Sequence, residues 1–382
     1  MTIFAERYRL KLELQQQSGL YRNPPSIDKR QGKYLFSRGA RLLNLASNDY
    51  LGLGSSSSLR EKVAGNFSRY GTSSSSSRLV SGNFKLLNEA EKAYARYFGY
   101  EAALFFPSGY QANLGVLATL FESGDTILFD KHIHASSVKG MSLSGATARG
   151  FNHGDVSHLE KRLPKTAGPV AVVTESLFSM DGDCMDTLAW KALKEKYGFF
   201  CVVDEAHAFG VLGPEGRGLA SGVADVAVGT FGKALGLFGA FVLMPQQIKA
   251  FLLNFSSPQI YTTTLPEAHA ASAFDVLEAI DRRESDRKSL MELSRWLKGQ
   301  LRSSGFRVGG DAHILGVEIG DATSAVETAR RLFSKGIFVL PARYPTVPLD
   351  KAILRVSLTT LHNQEDGAMF VEALKESYEA SS

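Results

Sequence analysis

The strongest constraint on the fold of this chain is a repeated alternation between short apolar runs and helical stretches. Runs rich in Val, Ile and Phe predict strands at residues 103–106, 126–129, 170–174, 199–204, 226–230 and 240–243. The stretches that predict helices occupy residues 84–98, 110–122, 187–197 and 245–255. Strands that alternate with helices in this way predict an α/β fold, with a mostly parallel sheet sandwiched by helices.

The chain is long enough for more than one domain. Its 382 residues suit one large domain and one smaller domain. We predict an N-terminal helix and irregular arm in residues 1–45, a large domain in residues 46–278 and a small C-terminal α+β domain in residues 279–382. A helical passage from about residue 267 to residue 301 would link the two domains. In the small domain, short apolar segments and helices are predicted at residues 314–319, 324–335, 336–340, 353–358 and 364–380.

Composition narrows the classes of function. Lys and Arg number 43 against 39 Asp and Glu, and this excess of +4 is too slight to indicate a nucleic-acid partner. Residues 1–7 lack an apolar signal core, and no run approaches the ~20 apolar residues that a membrane span needs. The two cysteines, Cys184 and Cys201, form no CxxC pattern and argue against a disulfide-stapled secreted fold. We therefore expect a cytoplasmic protein without a membrane partner.

Two polar residues follow consecutive predicted strands of the large domain. Asp204 ends one apolar strand, and Lys233 follows the next strand in a turn between Gly232 and Gly236. Ligands of open α/β sheets bind at the carboxyl ends of strands. Alone, the acid could be a helix cap and the lysine a solvated loop residue. Together they are the pair that a pyridoxal 5'-phosphate (PLP) enzyme needs, since a lysine forms the Schiff base and a carboxylate keeps the pyridine nitrogen protonated.

Three further positions are compatible with this chemistry. Ser108, Gly109 and Tyr110 join a strand to a helix, whose start favours a phosphate, although Ser108 could be a plain N-cap. The flat imidazole of His134 could stack on an aromatic ring or be structural. A second histidine two residues earlier does not complete a set of metal ligands, so no metal site is predicted. Arg355, in an apolar strand, suits a carboxylate, unless the strand is an exposed edge.

The order of these motifs resembles the α-oxoamine synthases, a branch of the fold-type I PLP enzymes. The resemblance covers nearly the whole chain and rests on residues 47–53, 108–113, 134–136, 174–183, 204–207 and 230–236. It implies a PLP cofactor and a C-acyltransferase activity. A nicotinamide-dependent oxidoreductase would instead need a GxGxxG turn after a strand, which the turn around Lys233 does not supply. A non-catalytic scaffold would have no need of Lys233, Asp204, His207 and Arg355 together.

The resemblance also implies roles for individual residues. Lys233 would carry the cofactor and move the substrate Cα proton, while Asp204 pairs with the ring nitrogen and His207 contacts the ring hydroxyl. Thr263 would reach the phosphate of a partner subunit, which requires a homodimer. Arg355 would hold the amino-acid carboxylate. The remaining implied contacts are His134 on the ring face, Ser179 near the ring hydroxyl, Ser108, Gly109, Tyr110 and Thr230 around the phosphate, and Arg22, Asn48 and Thr346 near the substrates.

Two segments outside the shared motifs favour one branch of the family. They are the arm at residues 19–22 and the loop at residues 341–348. Both segments resemble the corresponding parts of that branch, and the resemblance implies a decarboxylative condensation of L-alanine with a pimeloyl thioester of coenzyme A or an acyl carrier protein. The products would be 8-amino-7-oxononanoate, CO2 and the free thiol, in biotin biosynthesis. The alternative is another family member, such as 2-amino-3-ketobutyrate CoA ligase, which joins glycine to acetyl-CoA.

A run of five serines departs from the family pattern. We call residues 73–77 the serine loop; relatives have a glycine-rich loop at this position. Serine is poor at positive φ, so any of these serines that must adopt a positive φ would bear a strain on the order of 1 kcal/mol. We expect an ordered loop that lines the active site; the alternative is a flexible linker. Leu87 also stands where relatives often have a histidine.

Overall fold

A computed structural model of the chain describes residues 2–18, 20–166, 168–344 and 346–379. Gly19 in the predicted arm and Pro345 in the predicted loop at residues 341–348 lie outside the described residues. The helices are α1 Ile3–Gln17, α2 Ser57–Tyr70, α3 Lys85–Phe98, α4 Gly109–Leu120, α5 Ala135–Ser144, α6 Val156–Arg162, α7 Thr187–Tyr197, α8 Gln246–Phe255, α9 Ser257–Ile260, α10 Glu267–Asp281, α11 Glu284–Ser303, α12 Ala322–Ser334 and α13 Gln364–Glu379. Among the described residues, no helix is long and apolar enough to cross a lipid bilayer.

The strands are mostly short, and the longest belongs to the C-terminal part of the chain. They are β1 Lys29–Gln31, β2 Tyr34–Ser37, β3 Ala40–Asn44, β4 Ala102–Phe106, β5 Thr126–Asp130, β6 Thr147–Phe151, β7 Val170–Glu175, β8 Phe200–Asp204, β9 Val226–Thr230, β10 Ala240–Met244, β11 Val308–Gly309, β12 Ile314–Gly320, β13 Ile337–Phe338, β14 Leu340–Ala342 and β15 Ala352–Ser357.

The chain divides into two compact units. One unit contains Met1–Ser47, Met180–Gly182 and Leu290–Ser382, and the other contains Asn48–Ser179 and Asp183–Ser289. The predicted changes of domain were near residues 45 and 278. The N-terminal residues group with the C-terminal ones because β13 pairs in parallel with β3, with Ile337 opposite Leu43. A pairing across so many residues leaves no local trace in the sequence.

The larger unit is built on a seven-stranded sheet with the order β4-β10-β9-β8-β7-β5-β6. Strand β10 runs antiparallel to β4 and β9, and the other pairs are parallel. The predicted mostly parallel sheet is therefore confirmed. Strand β6 was missed because it is an edge strand whose first residues are exposed and polar or small, so it lacks the apolar run of the interior strands.

Both faces of this sheet are buried, which explains its continuous apolar strands. Val202 of β8 packs in the core on one face, whereas Cys201 and Val203 pack in the core on the other face. Alternate side chains of a strand point to opposite faces, so a strand that is covered on both faces needs apolar residues throughout. Burial raises the pKa of the Cys201 thiol to about 12, in keeping with a core thiol.

The smaller unit contains two four-stranded sheets. The order of one is β1-β2-β3-β13, and the order of the other, which is antiparallel, is β11-β12-β15-β14. The N-terminal segment that we predicted as a helix and an irregular arm, residues 1–45, therefore also contains three strands, β1, β2 and β3. The predicted helical passage is not continuous either, because α10 ends at Asp281 and α11 begins at Glu284.

The serine loop is held in place by hydrogen bonds. The Ser74 hydroxyl donates to the backbone oxygen of Thr264 at 2.7 Å, and the Thr264 N–H donates to the backbone oxygen of Ser76 at 2.9 Å. These long-range contacts favour the ordered loop over the linker. Ser75 is exposed and has a φ of 51°, a left-handed conformation that costs a serine on the order of 1 kcal/mol.

Glycine at position 75 should relieve this strain. We expect Ser75→Gly to leave the free energy of unfolding unchanged or to raise it by up to about 1 kcal/mol, although glycine adds freedom to the unfolded chain. Ser73→Gly is the control, because it removes a hydroxyl that accepts the Ser75 N–H and relieves no strain. It should lower stability. Thermal melting of both variants tests this, and a Ser75→Gly variant less stable than Ser73→Gly would contradict it.

Candidate active site

A cleft of about 210 Å³ lies at the carboxyl ends of β7, β8 and β9. This is the edge at which open α/β sheets bind ligands. Several of the residues that line the cleft were predicted from the sequence to bind a cofactor: Gly109, Tyr110, His134, Asp204, His207, Thr230 and Lys233. The others are Asn113, Ser136, Glu175, Ala206, Val228 and Gly229.

The carboxylate of Asp204 is held at both oxygens. Its Oδ2 accepts a hydrogen bond from the side-chain amide of Asn113 at 2.7 Å, and its Oδ1 accepts the Ala206 N–H at 2.9 Å. These bonds set the orientation of the carboxylate in the cleft wall. A carboxylate oriented in this way could keep a proton on a ring nitrogen.

The ring of His134 is oriented by a polar chain that begins at the same asparagine. Asn113 also donates to the Ser136 hydroxyl at 3.0 Å, and this hydroxyl lies 2.7 Å from Nδ1 of His134. Burial lowers the pKa of His134, and the positive charge of Lys233 acts in the same direction, against the opposing effect of Asp204. The result is a neutral, flat imidazole, which suits stacking on an aromatic ring.

Lys233 lies within hydrogen-bonding distance of His207. Lys233 Nζ is 2.6 Å from His207 Nε2, and His207 Nδ1 is 2.6 Å from the Tyr50 hydroxyl. That hydroxyl is in turn 2.9 Å from Oδ1 of Asn48, which is not itself a lining residue of the cleft. The turn that carries Lys233 needs a glycine at Gly236, which has a φ of 67° and where a Cβ would lie 2.4 Å from the backbone nitrogen of Gly54.

The start of α4 offers an anion site. Gly109 and Tyr110, its first residues, line the cleft together with Thr230, and the free N–H groups and dipole of a helix start favour a phosphate. Ser108 caps this helix, because its hydroxyl accepts the Gln111 N–H at 3.2 Å. A lysine, a carboxylate, a neutral imidazole and an anion site in one cleft fit PLP.

Glu175 is a lining residue to which the sequence analysis gave no role. It is buried at the end of β7, opposite Asp204 in the sheet register, and its Oε1 accepts the backbone N–H of His134 at 2.6 Å. Burial raises its pKa well above the usual value, and the nearby charge of Asp204 raises it further. Its position after an apolar strand, like that of Asp204, was the signal in the sequence.

Asn113 and Ser136 were quoted within motifs but also received no role. Asn113 follows Gly109 by one helical turn, so both residues lie on the same side of α4. The signal in the sequence was a polar side chain in an otherwise largely apolar helix. Its importance became visible only when the fold placed Asp204 beside it.

Some of the predicted residues do not line this cleft. Ser179 is half-buried beyond the end of β7, and Thr263 forms an isolated β-bridge with Ser77 of the serine loop. Ser108 is set back as the cap of α4. Their roles toward a cofactor therefore stay predictions.

The substrate residues Arg22, Thr346 and Arg355 belong to the smaller unit. Arg22 and Thr346 are exposed. Arg355 is buried in β15, which lies between β12 and β14, and it donates to the Ser357 hydroxyl at 2.6 Å. The alternative of a solvated arginine on an edge strand is therefore wrong.

Comparison with known proteins decides the family. The model of the family described as aminotransferase class I and II matches residues 40–374. The chain belongs to this family. An 8-amino-7-oxononanoate synthase of Acidithiobacillus ferrooxidans is 36% identical over 97% of this chain and 98% of the relative. Another, from Chlorobaculum parvum, is 40% identical over 88% of this chain and 90% of the relative.

Solved structures are similar to this chain over most of its length. A serine palmitoyltransferase from S. paucimobilis, with bound PLP-myriocin aldimine, matches with a TM-score of 0.92 and 27% identity, over 100% of this chain and 99% of that one. An 8-amino-7-oxononanoate synthase from Francisella tularensis matches with a TM-score of 0.77 and 28% identity, over 89% and 98%. The predicted fold-type I architecture, PLP as the cofactor and the acyltransferase class are thus confirmed.

The raised pKa of Glu175 predicts a pH-dependent cost in stability. Above its usual value of 4.5, the unfolded chain releases this proton while the folded chain keeps it, so stability falls with rising pH by up to about 1.4 kcal/mol per pH unit. Glu175→Gln keeps an oxygen acceptor for His134 but has no proton to lose. We therefore expect its advantage over the wild type to grow from about pH 5 to about pH 8.

Urea unfolding of the cofactor-free protein across this range measures the effect. Glu175→Leu is the matched control, because it also removes the titration but leaves the His134 N–H without its acceptor. It should be less stable than Glu175→Gln at every pH. A difference between wild type and Glu175→Gln that does not change with pH would contradict a neutral Glu175.

Proposed function

We propose that this chain condenses L-alanine with a pimeloyl thioester and releases CO2 and the thiol to form 8-amino-7-oxononanoate for biotin biosynthesis. The observation that carries the proposal is the 36–40% identity, over most of the chain, to relatives named for that product. The solved serine palmitoyltransferase and the solved 8-amino-7-oxononanoate synthase match at nearly equal identity, 27% and 28%. The acyl carrier is either coenzyme A or an acyl carrier protein.

Bound PLP would supply an electron sink for the negative charge that develops at the substrate Cα. Lys233 would attach to the cofactor and, once released, move the proton at Cα; its Nζ has His207 Nε2 at 2.6 Å as a partner. Asp204, oriented by Asn113 and Ala206, would hold the proton on the ring nitrogen. The neutral ring of His134 would cover one face of the cofactor and exclude water there.

The remaining predicted contacts divide between cofactor and substrates. The start of α4, from Ser108 to Tyr110, and Thr230 would bind the phosphate, and Ser179 and His207 would lie near the ring hydroxyl. The guanidinium of Arg355 would bind the carboxylate of alanine, since its planar fork matches a carboxylate. Arg22, Asn48 and Thr346 would contact the substrates.

We also infer a homodimer in the cytoplasm. Thr263, which would reach the partner's phosphate, is exposed on the single chain. Large apolar side chains nearby in the sequence are exposed too: Tyr261, two residues before Thr263, is 80% exposed, and Leu79 and Val80, just after the serine loop, are 72% and 80% exposed. A symmetric partner would cover such apolar side chains. Cys201 is a buried thiol in the core, as is usual in a reducing compartment.

A matrix of substrates tests the reaction. Alanine, glycine and serine would each be offered with acetyl, pimeloyl and palmitoyl thioesters, on coenzyme A and on an acyl carrier protein. We expect alanine with a pimeloyl thioester to have the highest kcat/KM, at least about tenfold above glycine, because one methyl group is worth about that much in a fitted pocket. The highest rate with glycine and acetyl-CoA would favour the 2-amino-3-ketobutyrate CoA ligase alternative, and serine with palmitoyl-CoA would also overturn the proposal.

A further inference from the structure

Tyr50 is a buried polar residue that the mechanism above does not use. Its side chain is inaccessible to solvent, yet its hydroxyl lies 2.9 Å from Oδ1 of Asn48 and 2.6 Å from Nδ1 of His207. The other ring nitrogen of His207 is 2.6 Å from Lys233 Nζ. Three successive hydrogen bonds therefore connect Asn48 to the lysine.

The chemistry of the end groups sets the direction of these bonds. The amide oxygen of Asn48 can only accept, so the Tyr50 O–H donates to it. The Tyr50 oxygen then accepts the Nδ1–H of His207, which leaves Nε2 of His207 without a hydrogen. Nε2 is thus an acceptor for the N–H of Lys233. The tautomer of a histidine is commonly set in this way by the hydrogen bond at its other nitrogen.

We propose that Tyr50, anchored by Asn48, is a positioning residue that fixes the Nδ1–H tautomer of His207 and so keeps a proton acceptor facing Lys233. The inference rests on the proposed role of Lys233. When Lys233 gives up a proton, the N–H bond at Nζ breaks and an N–H bond forms at Nε2 of His207. The Nδ1–H stays donated to Tyr50, and no other bond changes, so the charge moves from the lysine to the imidazole.

The backbone around Tyr50 is suited to hold this geometry. Both carboxylate oxygens of Asp49 accept hydrogen bonds from the following turn, from the Gly54 N–H at 2.9 Å and the Ser55 hydroxyl at 3.1 Å. The same turn packs against Gly236, close to Lys233. The segment that carries Tyr50 and the turn that carries Lys233 therefore support each other, and the hydroxyl is held by rigid neighbours.

Tyr50→Phe removes one oxygen and keeps the buried ring. Without the Tyr50 oxygen as an acceptor, His207 no longer prefers the tautomer with its hydrogen on Nδ1. The ring can then carry this hydrogen on Nε2, facing Lys233. With the cofactor bound, the protonated nitrogen of Lys233 would then lack the acceptor that Nε2 of His207 provides. We expect the pH midpoint of the visible absorbance change of the holoenzyme to fall by about one unit, and kcat/KM to fall on the order of 10²-fold.

The matched control is Tyr94→Phe. Tyr94 is equally buried in the same unit, and its hydroxyl donates to the backbone oxygen of Ala273 at 3.0 Å. This variant also removes one buried hydrogen bond, but it should leave the absorbance midpoint where it is. Asn48→Ala, which frees the Tyr50 hydroxyl to donate to His207, should lower the midpoint in the same direction and guards against a folding defect of Tyr50→Phe.

The outcomes separate this inference from the proposed function. A wild-type holoenzyme with no absorbance that depends on Lys233 would overturn the role of Lys233 itself. A normal wild-type titration with unmoved midpoints in Tyr50→Phe and Asn48→Ala would overturn only the role of Tyr50. Equal shifts in Tyr50→Phe and Tyr94→Phe would also overturn it, because they would indicate a general effect of a lost buried hydroxyl.

Discussion

The parallel alignment of β7, β8 and β9 is the constraint on which the candidate site depends. Glu175 lies opposite Asp204, and Asp204 lies opposite Val228, in a register that apolar residues on both faces of the sheet hold in place. A shift of one residue would turn every buried side chain to the opposite face. The carboxylates and the lysine therefore reach one cleft as a consequence of core packing.

A network of buried polar side chains gives this edge its chemistry. Asn113 donates to both Asp204 and Ser136, and Ser136 contacts His134, so one amide orients both the carboxylate of Asp204 and the imidazole of His134. On the other side, His207 connects Lys233 to Tyr50. A buried polar group without a partner is costly, so networks that are fully connected specify a single arrangement.

The sequence was most informative where apolar burial is continuous. The predicted bounds of the strand that became β9 and the helix that became α7 agree with the structure at both ends. Strand β9 is a buried apolar run, whereas α7 begins after the N-cap Asp186 and ends before Gly198, which has a φ of 66°. Lys233 and Asp204 were predicted from their places after such runs. Strands β1 and β6 were missed because most of their residues are exposed, so neither has an apolar run. The links among Asn113, Ser136 and Asp204 depend on contacts across the fold, which no local pattern records.

The central claim is that Lys233, and no other lysine, binds the cofactor in this cleft. Reduction of the holoenzyme with borohydride, followed by peptide mapping, tests it most directly. The account predicts that the visible absorbance is lost and that the pyridoxyl group is found on the peptide that contains Lys233, and that the Lys233→Ala variant acquires no label. A pyridoxyl group on another lysine of the wild-type protein would contradict the account.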